Sequence, residues 1–299
     1  MVERKQLSLE ERRERRRLRR EKQRGENLER AEKMHIARMA AAPPPEDSRS
    51  HLSSSAYVGC SGWFYWKWRG KFYPQDMPTG DWFGHYAAQF DTVEINASFY
   101  SWPTVANVKS WLRQPGEKDF VYTAKVCELI THIRKFEGVR TLVEDFGMIA
   151  DILGDRMGCF LFQMPPSYRY SEDRLRDILD QLDHRRRNVV EFRHASWWND
   201  TVYSAFREHG TIFCSCSGPG LPDELVRTAD EIYLRLHGPD RWYRHDYSEA
   251  ELKCWAERIR ASGATRAWVY FNNDYEAVAP KNALVMRRLL DCDQATDAA

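Results

Sequence analysis

The chain has 299 residues, 42% hydrophobic and 13% aromatic, which is enough for one α/β barrel of about 250 residues or for two ordinary domains. A formal net charge of +1 excludes a global attraction to polyanions, and no run of about 18 apolar residues is present to cross a bilayer as a helix. Seven scattered cysteines without a C-x-x-C pair exclude a zinc ribbon; with no apolar signal-peptide core at the N-terminus, they predict reduced thiols and a soluble cytoplasmic protein.

The first 40 residues carry 14 Lys+Arg against 8 Asp+Glu, so the remainder is mildly acidic. Residues 8 to 40 read as helix: Ser8 and Glu11 fit a capping box, proline is absent and strong helix formers dominate. Between Leu9 and Leu28 only Leu18 is aliphatic, so no apolar stripe is there to bury. Residues 1–42 are therefore expected to be a basic, solvated helical or disordered extension, with a nucleic-acid arm as the alternative. Pro43-Pro44-Pro45-Glu46-Asp47-Ser48 reads as the centre of a linker over 43–55. A barrel is expected over 56–292 and a disordered tail over 293–299.

After the linker, short β-branched or aromatic runs alternate with helical patterns. The strand candidates are Tyr57 to Cys60, Thr92 to Asn96, Phe120 to Lys125, Cys159 to Gln163, Val189 to Arg193, Thr211 to Cys214, Ile232 to His237 and Ala267 to Asn272. Helical candidates include Val105 to Arg113, Val139 to Leu153, Ser171 to Leu182, Ser248 to Ala261 and Pro280 to Leu290. Eight strands separated by helices predict an α/β fold of the TIM-type (β/α)8 barrel class. A doubly wound open sheet is the competitor, but no G-x-G-x-x-G follows the first strand.

Side chains two apart share a strand face, and one face of a barrel strand points to the axis. Thr92, Glu94 and Asn96 share a face; so do Val121, Thr123 and Lys125, then Glu191 and Arg193, then Tyr233, Arg235 and His237, then Trp268, Tyr270 and Asn272. Ionisable residues thus gather at the C-terminal strand ends, where barrel enzymes keep their active sites. Buried charges cost several kcal/mol each unless paired or useful, so Glu94, Lys125, Glu191, Arg193 and His237 together favour a site over a purely structural network. The aromatic runs Trp63-Phe64-Tyr65-Trp66-Lys67-Trp68 and Phe99-Tyr100-Ser101-Trp102 would roof the same end, mostly as packing, with some faces free to stack on a sugar or base.

Several ordered blocks carry a family resemblance. They are Gly59-Cys60-Ser61-Gly62-Trp63 with Phe72-Tyr73-Pro74, Thr92-Val93-Glu94-Ile95-Asn96-Ala97-Ser98-Phe99-Tyr100, Ile130-Thr131-His132, Leu161-Phe162-Gln163-Met164-Pro165-Pro166, Glu191-Phe192-Arg193-His194-Ala195-Ser196-Trp197, Leu236-His237-Gly238 and Phe271-Asn272-Asn273. Over about residues 57 to 290 the chain resembles the domain-of-unknown-function 72 (YecE-like) family. The resemblance implies a TIM-type barrel with a general likeness to the endonuclease IV and sugar-isomerase barrels, and suggestions of nucleic-acid binding, but no particular reaction. The chain departs from the family pattern at Ser217, where many relatives carry an acidic residue, and at Ala277, where they carry glycine.

The residues support an enzyme of hydrolase, isomerase or lyase type acting on a small anionic, sugar- or phosphate-containing substrate. In that reading Glu94 or Glu191 is the general base, His237 the acid or proton shuttle, and Lys125 and Arg193 clamp an anion or oxyanion. Gln163 and Asn272 orient, and Arg235, His194, Asn273, Trp63 and Tyr100 complete the substrate-binding candidates. Glycoside cleavage by paired carboxylates is a minor branch. A divalent metal on Glu94, Glu191, His194 and His237 is conceivable, but Lys125 and Arg193 supply positive charge at the same end, so no cofactor is expected. The alternatives are a nucleic-acid-binding module or endonuclease IV-like phosphodiester enzyme, using the aromatic roof with Arg69, Lys71 and the N-terminal arm, and a barrel that senses a ligand without turnover.

Overall fold

The computed structural model of the protein describes residues 8–42 and 52–291. The proline linker and the C-terminal tail read from the sequence fall largely or wholly outside them. Helix α1 (Leu9–Ala40) opens on the expected capping box: Ser8 Oγ accepts from Glu11 N at 3.1 Å, and Glu11 Oε2 accepts from Ser8 N at 2.7 Å. Then follow β1 (Ala56–Cys60), α2 (Trp82–Gln89), β2 (Thr92–Ile95), the single turn α3 (Ala97–Tyr100), α4 (Val105–Arg113), β3 (Val121–Lys125), α5 (Arg140–Leu153), β4 (Met157–Gln163), α6 (Glu172–Gln181), β5 (Asn188–Glu191), α7 (Asp200–His209), β6 (Ile212–Ser217), β7 (Glu231–Leu236), α8 (Glu249–Ala261), β8 (Arg266–Phe271) and α9 (Val278–Asp291).

All eight strands run parallel in the order β1-β8-β7-β6-β5-β4-β3-β2, so β1 and β2 lie at the two edges that must meet. They meet through a bridge between Ser61 and Glu94. The Tyr86 hydroxyl stands in for a ladder bond, accepting from Cys60 N at 2.8 Å and donating to Thr92 O at 3.0 Å. Gly59 is required at this seam, because a Cβ there would lie 2.5 Å from Thr92 O. The barrel is thus nearly closed, and the open-sheet competitor is excluded.

Strand alternation divides the core as the sequence predicts. Val93, Ile95, Val190, Phe192, Ile232, Leu234, Leu236, Val269 and Phe271 pack outward against the helices. Tyr57, Val121, Cys159, Leu161, Val189, Ile212, Cys214, Cys216, Tyr233, Trp268 and Tyr270 fill the axis. At the N-terminal end Tyr57 stacks on Trp268 at 4.8 Å, and Trp268 donates its indole N–H to Glu231. Above them the Tyr270 hydroxyl meets Thr92 and Thr123 at 2.7 and 2.9 Å. The polar side chains on this face rest on a solid floor and are open only at the C-terminal end.

Helix α1 departs from expectation. Its first turns are exposed, but Asn27, Ala31 and Met34 are buried and the helix docks on α5. The buried carboxylate of Asp145 holds Arg38 Nε at 2.7 Å and His35 Nδ1 at 3.0 Å. Asn27 accepts from Trp102 N at 2.9 Å and donates to Tyr100 O at 3.1 Å, while Arg30 bonds Ser101 Oγ. The second half of the extension is therefore part of the fold, held by Ala31 and Met34 in the outer core and by polar contacts that hydrophobic periodicity does not register.

Candidate functional site

The strand ends bring together Glu94 from β2, Lys125 from β3, Glu191 from β5, Arg235 from β7 and, one residue or two beyond their strands, His237 and Arg193. Arg235 is fully buried and lies between the two carboxylates. Its Nη2 donates to Glu94 Oε1 at 2.6 Å and to Ser61 Oγ at 3.2 Å, and its Nη1 donates to Glu191 Oε2. Glu94 also accepts from Ser61 Oγ at 2.6 Å and from the Tyr233 hydroxyl at 2.5 Å. Glu191 Oε1 accepts from Arg193 Nε. Every carboxylate oxygen in the mouth already holds a strong donor.

Burial works to raise the Glu191 carboxyl, but the charges of Arg193, Arg235 and Lys125 overcome it and hold the group at about 2. Arg193 lies face-on to Trp242, 4.2 Å from the ring centre, and its Nη2 is 3.1 Å from His237 Nε2. A guanidinium can only donate, so Nε2 accepts and the imidazole proton sits on Nδ1. That Nδ1 is buried without a hydrogen-bond partner among the described residues. Burial, then Arg193, Arg235 and Lys125, push the His237 pKa well below the usual histidine range, so the ring is neutral.

Lys125 is different in kind. It is 8% exposed and its Nζ lies 4.1 Å from the centre of the Phe99 ring; among the described residues it forms no ion pair. Burial and then Arg235 lower its pKa, Glu191 and Glu94 oppose them, and the balance falls at about 7. His132 packs edge-on against the same Phe99, ring centres 4.8 Å apart. Burial and the Lys125 charge bring His132 down to about 4.

The family model described as "Protein of unknown function DUF72" matches residues 57–299. The chain belongs to the DUF72 family. It is 24% identical to UPF0759 protein YunF of Bacillus subtilis over 273 residues, covering 79% of this chain and 95% of that one. A DUF72 protein structure from Thermotoga maritima is 28% identical with a TM-score of 0.72, covering 80% of this chain and all of that one. A second, from Enterococcus faecalis, has the same fold at 17% identity and a TM-score of 0.67, covering 79% and 95% of the two chains.

Within this DUF72 barrel the other sequence candidates separate. Gln163 neighbours Glu191 in the sheet register and donates its amide to Met164 O at 2.9 Å. Asn272 extends the inward row of β8, and Tyr100 is 63% exposed on the roof. Three candidates serve the scaffold instead. Asn273 is fully buried and donates to His245 O and Asn282 Oδ1, both at 2.7 Å; the residue next to Asn272 points to the opposite side by alternation. His194 caps the turn after β5 through Ser196. Trp63 packs edge-on against Phe83 at 5.2 Å, with the outer core. In the same run Trp68 is fully buried and packs against Tyr65 at 4.9 Å, whereas Phe64 and Trp66 stay exposed.

Sequence reasoning passed over Ser61, His132, Tyr233, Cys216 and Trp242. The first two lie inside quoted motifs, and Tyr233 and Cys216 lie on inward rows; Trp242 comes from the β7–α8 loop, where no periodicity exists to read. Ligand atoms of Glu191, Cys216 and His237 come within 4.8 Å of one another, a different set from the one expected. Arg193 already occupies Glu191 Oε1 and His237 Nε2, so the lone pairs a cation would need are committed. The departures from the family pattern are also visible: Ser217 Oγ accepts from the Tyr247 hydroxyl at 2.8 Å, and Ala277 sits at φ 65°, a conformation that explains glycine there. A cleft of about 1090 Å³ runs along α9, and four of its charges are paired as Lys71–Glu276 and Lys281–Asp246.

Proposed function

We propose that the mouth is the active site of an enzyme performing acid–base chemistry of hydrolase, isomerase or lyase type on a small anionic substrate carrying a sugar or phosphate group. The observation that carries this reading is charge balance. Glu94 and Glu191 are matched by Arg235 and Arg193, so a protonated Lys125 leaves one positive charge without an ion-pair partner among the described residues. Unpaired buried charge is costly, and a bound anion removes the cost.

The roles differ from those the sequence suggests. A carboxylate held at about 2 and saturated with donors is a weak base, so Glu191 and Glu94 fix the two guanidiniums. Lys125, at about 7, has the pKa suited to exchanging a proton near neutrality. Arg193 binds the anion, neutral His237 offers its Nδ1–H, and Gln163 and Asn272 orient the substrate. No metal is expected, because the donors a cation needs are committed to Arg193.

The test is a thermal-shift series with inorganic phosphate and sugar phosphates, on wild type and on Arg193→Met. Melting temperatures that rise with anion concentration in wild type alone support the reading. Equal responses in both proteins, or none, overturn it.

One observation favours nucleic acid as a second ligand. Arg13, Arg16, Arg17, Arg20 and Arg24 lie together on the exposed half of α1, at spacings that share one helix face. A DNA and RNA mobility shift whose strength falls steeply with salt, and is lost when all five are changed to Gln, tests this. No helix among the described residues is long and apolar enough to cross a membrane. We place the protein in the cytoplasm on its thiols, since all six described cysteines are free.

A further inference from the structure

Four observations at one spot are not used up by acid–base chemistry. Lys125 Nζ rests on the face of Phe99 at 4.1 Å and has no ion-pair partner among the described residues. The two carboxylates of the mouth are committed to Arg235, Arg193, Tyr233 and Ser61, so neither locks the ammonium. The residue is slightly open to the mouth. His132, a neutral imidazole, shares Phe99 with it. A lysine serving only to attract an anion works best fully charged and well hydrated; this one is buried in an arginine-rich site, and burial with the Arg235 and Arg193 charges favours its uncharged form while the Phe99 ring holds the nitrogen in place.

We propose that Lys125 Nζ is a nucleophile that condenses with the aldehyde or ketone carbon of a small carbonyl compound bearing a carboxylate or phosphate. This rests on the anionic-substrate reading and narrows its substrate class. The nitrogen lone pair forms the C–N bond while the carbonyl π pair moves to oxygen. Oxygen gains a proton and nitrogen loses one, giving a carbinolamine. Departure of the hydroxyl as water, after a second proton reaches it, leaves a protonated imine; amine, carbonyl compound and one proton go in, and iminium and water come out. No oxidant or reductant is consumed. The iminium keeps the positive charge near Glu191 and Glu94, which already oppose loss of charge at this position. Arg193, on Trp242, is placed to take the substrate's anionic group.

The distinguishing power of a trapping experiment comes from protonation. At pH 7 an amine held near 7 is neutral about a thousandfold more often than an ordinary lysine at about 10.4. Wild type, Lys125→Met and Arg193→Met are each incubated at pH 7 with glyoxylate, pyruvate, dihydroxyacetone phosphate or uncharged acetaldehyde, reduced with sodium borohydride and mapped by peptide mass spectrometry. The expected result is one secondary-amine adduct, on Lys125 and absent from Lys125→Met. Arg193→Met removes one of the charges that lower the Lys125 pKa and so reduces trapping of every probe, but it should lower the yield from the three anionic probes by about tenfold more than that from acetaldehyde, the size of one lost charge-assisted contact. Adducts spread over surface lysines, or none with any probe, overturn the proposal. If the same anions still raise the wild-type melting temperature while trapping fails, the anionic-substrate reading stands and only the covalent step falls.

Discussion

Replacing Lys125 by methionine should make the protein more stable, and by an amount that depends on pH in one direction. Lys125 titrates at about 7 in the fold against 10.5 for a free side chain. The difference of about 3.5 units, at about 1.36 kcal/mol each, is a charge burden of about 5 kcal/mol. Because the folded pKa is depressed, the unfolded chain binds the extra proton between the two values, and wild-type stability rises with pH across that window. The burden is nearly full at pH 6, falls to about 1 kcal/mol by pH 9.5 and vanishes above the free-lysine value. Lys125→Met carries no such burden and keeps a stem that packs on Phe99. The groups facing Lys125 do not titrate between pH 6 and 9.5: Glu191 lies at about 2 and His132 at about 4, His237 is held well below its usual range, and Arg193 and Arg235 remain charged. Urea denaturation of both proteins at pH 6, 7.5 and 9.5 reads the effect. The expected advantage of the variant is about 3–5 kcal/mol at pH 6, shrinking to about 1 at pH 9.5. An advantage that stays constant within about 1 kcal/mol over that range would show that Lys125 titrates normally, and the reasoning on its chemistry would fail with it.

Arg235→Met leaves Glu94 and Glu191 facing each other in the barrel without their shared guanidinium and should cost about 3–5 kcal/mol in urea denaturation. Adding Glu94→Gln and Glu191→Gln should restore more than half of that loss, whereas a loss unchanged in the triple variant would mean that packing, not charge, is at stake. Ala277→Gly relieves a positive φ of 65° and should stabilise by about 1 kcal/mol; a destabilised glycine variant would contradict the backbone argument. Asp145→Ala removes the buried partner of Arg38 and His35 and should weaken docking of α1 by about 1–3 kcal/mol. Faster amide exchange confined to residues 27–38 and to the 97–102 segment is the expected signature, and uniform exchange across the chain would point to a global loss instead.

The barrel and the residues of its mouth were legible from the sequence because both follow the strand period of two. That period separates Val190 and Phe192 from Glu191 and Arg193 without any three-dimensional knowledge. What it cannot carry is pairing across the barrel. The ion pair between Glu94 and Arg235 joins residues 141 apart, and the bond that ties Glu191 to Arg235 spans 44; no local pattern relates them. Yet the proposed chemistry rests on these pairings. Alternation alone makes Glu94, Glu191 and Lys125 equivalent candidates for proton transfer, and ordinary pKa values favour a carboxylate as the base. Once the guanidiniums are seen to saturate the carboxylates, the order inverts and the lysine becomes the group with an adjustable proton. The same limit explains α1: Asn27 and Asp145 fix it through polar contacts that join residues 73 to 110 positions apart, which a search for an apolar stripe does not find. Both results follow from one physical fact, that hydrophobic burial is written in sequence as a period, whereas the partner of a buried charge is chosen by the fold.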